Sequence, residues 1–212
     1  MMADSWSMAV QYGGKTQLCG AIDNDIINAN SSDDDLMKAF STFSNNFWGD
    51  SFCAGGFYNT NQLSDPARWE PNARSWRWQT CKEVSYFNTA PAQGSLRSKV
   101  VDLDYHLRQC KSMFGNHAVY PTSSAINKKF GADQPFGHKV FYSDFSDDPW
   151  QRASVNYPVS SDQPYFLTVC EDCGHCKDFH APDPNEPAQL TKGRQEFEKY
   201  LAKWLQEAES KK

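Results

Sequence analysis

The chain has 212 residues, 39% of them hydrophobic and 14% aromatic, with a formal net charge of −5. This composition can build a core and excludes wholesale disorder, and the length suits one large domain or one and a half small ones. The acidic balance, without a basic patch, argues against nucleic acid as a partner, and no stretch approaches the roughly 18 apolar residues that span a bilayer.

In chain order, residues 1–12 read as a short helix ending at Gly13-Gly14. Residues 33–48 make a stronger one. Asp33, Asp34 and Asp35 sit where the macrodipole favours acids, and Leu36, Phe40, Phe43 and Phe47 recur at helical spacing as a core-facing stripe. Residues 49–75 are rich in Gly, Asn, Ser and Pro and read as loop. Trp76 to Thr89 is aromatic and partly buried, residues 90–96 are loop, and Val100 to Phe114 is a helix. Gly131 to Gly137 is a turn region before Val140–Trp150, and Tyr165–His175 follows. Each of these two stretches reads as a strand ending in a loop. After Pro182, Pro184 and Pro187 comes a final helix, Thr191 to Glu209. Its Phe197, Leu201, Trp204, Leu205 and Ala208 share the face expected to pack on a sheet edge. No internal repeat or low-complexity tract is evident.

The two strand–loop stretches carry the chemistry. The first loop bears Asp148 and the second His175. An acid and then a histidine on successive strand ends form the last two-thirds of a Ser…Asp…His triad in α/β-hydrolase order. No G-x-S-x-G elbow occurs in these residues. Taken alone, Asp148 also fits a plain Asp-Pro turn, and His175 an ordinary loop histidine.

Trp76-Arg77-Trp78-Gln79-Thr80-Cys81-Lys82-Glu83-Val84-Ser85-Tyr86-Phe87-Asn88-Thr89 resembles the W-x-Y-Q-T-C-x-E-F-G-Y-Y-Q-T signature of one serine exopeptidase family. That family includes lysosomal Pro-Xaa carboxypeptidase, dipeptidyl peptidase II and thymus-specific serine protease. Asp144 to Trp150 is similar to its N-G-x-x-D-P-W motif, and Cys173-Gly174-His175 to its G-A-x-H-type motif. Ala9-Val10-Gln11-Tyr12 and Leu18-Cys19-Gly20 look like parts of its helical insertion, and Arg108-Gln109-Cys110 and Phe130-Gly131 fall in the expected order. The resemblance implies an α/β fold: the C-terminal part of an α/β-hydrolase domain (residues 66–212) behind a remnant of a helical lid insertion (residues 1–65). It implies proteolysis next to proline, with Asp148 as triad acid and His175 as general base, and no cofactor or metal. The implied substrates are peptides with proline near a terminus, and the implied setting is lysosomal or extracellular. Carried over in the same way, Cys81 pairs with Cys110 and Cys19 with Cys53.

The chain departs from the family pattern at three places. Asp144-Phe145 stands where the family has Asn-Gly, and Val84-Ser85-Tyr86 where it has Phe-Gly-Tyr. The family's G-x-S-Y-G nucleophile lies N-terminal to everything matched, so the chain alone is expected to hydrolyse peptides poorly. Seven cysteines point to an oxidising compartment, and the sequon at Asn30-Ser31-Ser32 makes Asn30 a glycosylation candidate. Yet Met1 to Trp6 has neither the basic nor the apolar region of a signal peptide. The simplest expectation is a chain that begins in the middle of a longer ancestral protein. A hydrolase sheet without its first strands would expose an edge and apolar surface. A missing N-terminal half, another partner or a homo-oligomer would then cover it.

Three alternatives compete. A non-catalytic relative could use the same fold to bind peptides or a partner. Gly49-Asp50-Ser51 with Asp172-Cys173-Gly174-His175 imitates the G-D-S and D-x-x-H motifs of another serine esterase class, with Ser51 as nucleophile and Asp172 as acid. Cys170, Cys173 and Cys176 beside His175 and His180 imitate a zinc knuckle, although disulfide or free thiols fit better. His106, His117 and His138 have no catalytic context.

Overall fold

The computed structural model describes residues 2–23, 27, 28, 30–51, 59–67, 71–95, 97–118 and 120–210. It forms two compact units: Trp48–Ala132, and Met2–Phe47 together with Asp133–Lys212. Among the described residues the chain is mostly helical with one pair of strands.

In the second of these units the chain opens with α1 (Met2–Gln11) and α2 (Lys15–Ala21). Gly13, at φ +83, supplies the left-handed turn between them. Helix α3 (Asp33–Trp48) follows, with its acids in the first turn. It begins at a reciprocal cap. The Ser32 N–H donates to Asp35 Oδ2 (3.0 Å) and the Asp35 N–H to Ser32 Oγ (3.2 Å). Its aromatic stripe is real but shorter than expected. Phe43 is buried and stacks on Phe47, and Phe40 meets Trp6 of α1. A Cβ on Gly14 would overlap the Phe47 ring. Leu36, expected in the stripe, is 43% exposed, because the ring contacts with α1 begin only at Phe40.

The two expected strands form as β1 (Tyr142–Phe145) and β2 (Tyr165–Thr168). They run parallel, with Tyr142 opposite Tyr165 and Phe145 opposite Thr168. Main-chain bonds extend the pairing at both ends: Tyr142 N–H to the Pro164 carbonyl (2.9 Å) and Ser146 N–H to that of Thr168 (3.0 Å). Two strands alone are marginal in water and need cover. The last helix, α8 (Ala188–Glu209), supplies it. Leu190 joins buried Phe145 and Cys173, and Gly193 lets the helix approach Thr168 and Phe166. Phe141 meets Phe197 and Tyr200, and Tyr200 meets Trp204. The packed face is therefore Leu190, Gly193, Phe197, Tyr200 and Trp204, at alternating spacings of three and four. Phe197 keeps its edge contact with Phe141 while 42% exposed; Leu201 and Leu205, expected on that face, are 39% and 57% exposed. They lie to the side of the stripe that starts at Leu190.

The other unit contains α4 (Thr60–Ser64), α5 (Pro71–Gln79), a π-helical turn at Thr80–Val84, α6 (Leu103–Phe114) and α7 (Ser123–Phe130). Helix α4 and the start of α5 fall where loop was expected. Asn59 starts α4 by accepting the Gln62 N–H (3.1 Å). Helix α6 starts three residues later than expected because Asp102 caps it, accepting the Tyr105 N–H at 2.7 Å. The core joins Leu63, Cys81, Cys110 and Met113, with Ala73, Phe87 and Phe114 against it. Cys81 and Cys110, fully buried, form a disulfide there. Ser85, where the resembled family has glycine, takes the left-handed conformation at φ 57 that glycine adopts without strain. His106 is buried and stacked on Phe87, and His138, exposed, pairs with Asp162.

Candidate active site

The loops after β1 and β2 converge on one pair. Asp148 Oδ2 lies 2.7 Å from His175 Nδ1. Asp148 is 8% exposed, whereas the His175 side chain is 35% exposed. The same carboxylate also caps the 3-10 turn Pro149–Ala153, with Oδ1 accepting the Trp150 N–H at 2.9 Å. Pro149, at the first position of that turn, needs no donor. The Asp-Pro turn and the acid–histidine pair are thus one arrangement, with one oxygen for each. An Nδ1–H directed at Asp148 leaves Nε2 as the basic nitrogen of the ring.

A web of bonds joins the two loops. Ser146 Oγ donates to the Cys170 carbonyl (3.1 Å). Asp147 accepts the Asp172 N–H (3.0 Å) and pairs with Lys15 Nζ (3.2 Å). That pairing raises the Lys15 pKa, chiefly through the hydrogen bond to Asp147. Cys170 and Cys173 are joined as a disulfide across the turn leading to His175. From α1, the Gln11 carbonyl accepts the His175 N–H at 2.6 Å, and Gln11 Oε1 accepts the Trp150 indole N–H at 3.0 Å. The exposed Tyr12 ring stands edge-on to the imidazole, with centroids 6.3 Å apart.

Behind the pair sits a second carboxylate. Asp144 is 6% exposed and accepts hydrogen bonds from Ser154 Oγ (2.6 and 2.7 Å) and from Tyr165. Burial pushes its pKa up, against those hydrogen bonds, and the nearby Asp148 adds to the rise. Phe145, where the resembled family has glycine, is a buried strand end, which is why a bulky ring fits. Cys176 is a half-buried free thiol whose pKa is raised by burial and then by Asp178 and Asp148.

Other expected residues fall elsewhere. Asp172 has its Oδ1 on the Thr16 N–H (2.9 Å), in the first turn of α2, while His175 Nδ1 faces Asp148. Ser51 is an exposed residue of the Trp48–Ala132 unit. The Cys170–Cys173 bridge consumes two of the three thiols of the zinc-like motif, and among the described residues no group of three His, Cys, Asp or Glu side chains could hold a metal. Cys19 is an exposed free thiol, and Cys53, its expected partner, lies outside the described residues. Asn30 is exposed in a turn. Sequence reasoning assigned no role to Gln11, Lys15, Asp144 or Asp147. Gly13 and Gly174 mark close backbone approaches here, but a glycine in the sequence does not say which residue approaches it.

Residues 4–197 match the family model of serine carboxypeptidase S28. The Arabidopsis thaliana protein named "Probable serine protease EDA2" is 30% identical over 98% of this chain and 44% of its own length. Human thymus-specific serine protease is 28% identical over 62% of this chain and 26% of its own length. An Arthroderma benhamiae protein named "Probable extracellular serine carboxypeptidase" is 27% identical over 62% of this chain and 20% of its own length. The chain thus spans less than half the length of each of these relatives. With nearly its whole length inside the matched segment, this chain belongs to the serine carboxypeptidase S28 family.

Proposed function

We propose that this chain carries the acid and base of a serine exopeptidase that cuts next to proline, and that its nucleophile comes from a G-x-S-x-G segment outside these 212 residues. The observation that carries the reading is the 2.7 Å pair between buried Asp148 and part-exposed His175, on loops that follow adjacent parallel strands. In this reading β1, β2 and α8 are the last part of an α/β-hydrolase domain, and residues 1–65 are what remains of a helical lid. His175 Nε2 takes the serine proton as the serine oxygen attacks the scissile carbonyl, and returns it to the departing amine. Asp148 holds the ring in that tautomer and stabilises the imidazolium. The substrates are peptides with proline near a terminus. The setting is extracellular or lysosomal, which the extracellular relative supports.

Hydrolysis of terminal Pro-Xaa and Xaa-Pro peptides tests the reading. The protein that joins this chain to a G-x-S-x-G segment is expected to cleave them and to lose cleavage with His175→Ala, while the 212 residues alone do not exceed buffer. Efficient cleavage by the 212 residues alone would overturn it. The esterase reading through Ser51 is disfavoured by the commitment of Asp172 to α2.

A further inference from the structure

We propose that Gln11 is a positioning residue that fixes the Asp148–His175 pair by holding both of its loops at once. The proposal rests on the acid–base reading of that pair. Gln11 ends α1, and the carbonyls of a last helical turn have no partner inside the helix. The Gln11 carbonyl finds its partner in the His175 N–H at 2.6 Å. Its side-chain oxygen meanwhile accepts the Trp150 indole N–H at 3.0 Å, and the Trp150 main-chain N–H donates to Asp148 Oδ1 at 2.9 Å. One residue therefore grips the backbone of the base and, through Trp150, the turn capped by the acid.

The surrounding backbone is shaped for this grip. A Cβ on Gly174 would overlap the Gln11 carbonyl and lie 2.9 Å from the Gly13 nitrogen, and a Cβ on Gly13 would lie 2.8 Å from the Asp172 carbonyl oxygen. Glycine at both positions lets the end of α1 seat directly on the residue before the base. Displacements of about 1 Å can cost on the order of 100-fold in rate, so a contact that fixes both loops acts on the chemistry without touching substrate. The side chain must accept a hydrogen bond and reach the indole; glutamine and glutamate can do so, and alanine cannot.

The test is proton NMR of the 212-residue chain, following the downfield resonance of the His175 Nδ1 proton shared with Asp148. Its assignment comes from its disappearance in Asp148→Asn and in His175→Gln. Gln11→Ala and Trp150→Phe are each expected to shift it upfield or broaden it away, the double variant no further than either single one, and Gln11→Glu is expected to retain it. A folded Gln11→Ala with the resonance unchanged would overturn the proposal while leaving the acid–base pair standing. Should Gln11→Ala not fold, Trp150→Phe and Gln11→Glu carry the same comparison. Absence of the resonance in the unmodified chain would defeat the acid–base reading and the positioning role together.

Discussion

Asp148 shows how one carboxylate serves structure and chemistry together. Its Oδ1 caps a turn and its Oδ2 faces His175, so Asp148→Ala would disturb the loop as well as the pair. Asp144 behaves differently. Burial raises its pKa above the unfolded value, so the folded state binds that proton more tightly. Its contribution to stability is fully present below the usual carboxylate range and is lost as pH rises through the raised pKa. Asp144→Asn keeps an acceptor for Ser154 and removes the charge. Urea midpoints taken across acidic to neutral pH are expected to fall with rising pH in the unmodified chain, over the window above the ordinary carboxylate pKa. The Asn variant is expected to be flatter there; an identical pH dependence in both would contradict this account.

At the scale of elements, the close seat of α8 on β2 depends on Gly193. A Cβ at that position would sit 3.0 Å from Thr168 Oγ1 and 3.2 Å from the Phe166 ring. Gly193→Leu is therefore expected to destabilise the unit by about 1–3 kcal/mol through overpacking, against a helix-propensity gain of about 1 kcal/mol; a raised melting temperature would contradict it. The helices at 33–48 and after Pro187 were legible because their apolar spacing is strongly periodic. Which side faced inward was only partly so. Leu201 and Leu205 read as core from spacing alone, but the stripe is set by Leu190 and Gly193, and the space that Gly193 leaves is decided by β2. Asp148 and His175 were legible as motifs. Gln11 was not, because a carbonyl acceptor at a helix end has no sequence signature, and its partner lies 164 positions away (175 − 11).

Across the whole molecule, each compact unit has its own fastening. In Trp48–Ala132 the fastening is Cys81–Cys110, which spans 29 positions inside the core. Replacing both cysteines by alanine is expected to cost that unit about 3–4 kcal/mol, read as a lowered denaturant midpoint; an unchanged midpoint would show that packing alone holds it. In the other unit, two parallel strands and their helix carry a paired acid and histidine on a chain that spans 44% of its Arabidopsis relative. No helix among the described residues is long and apolar enough to cross a membrane. The measurement that bears most directly on the central claim is labelling of the purified 212-residue chain with a fluorophosphonate probe, alongside Ser51→Ala and His175→Ala. The account predicts no labelled serine, because the proposed reading takes the nucleophile from a segment outside these residues. Labelling that is lost in both variants would contradict it and make Ser51 the nucleophile.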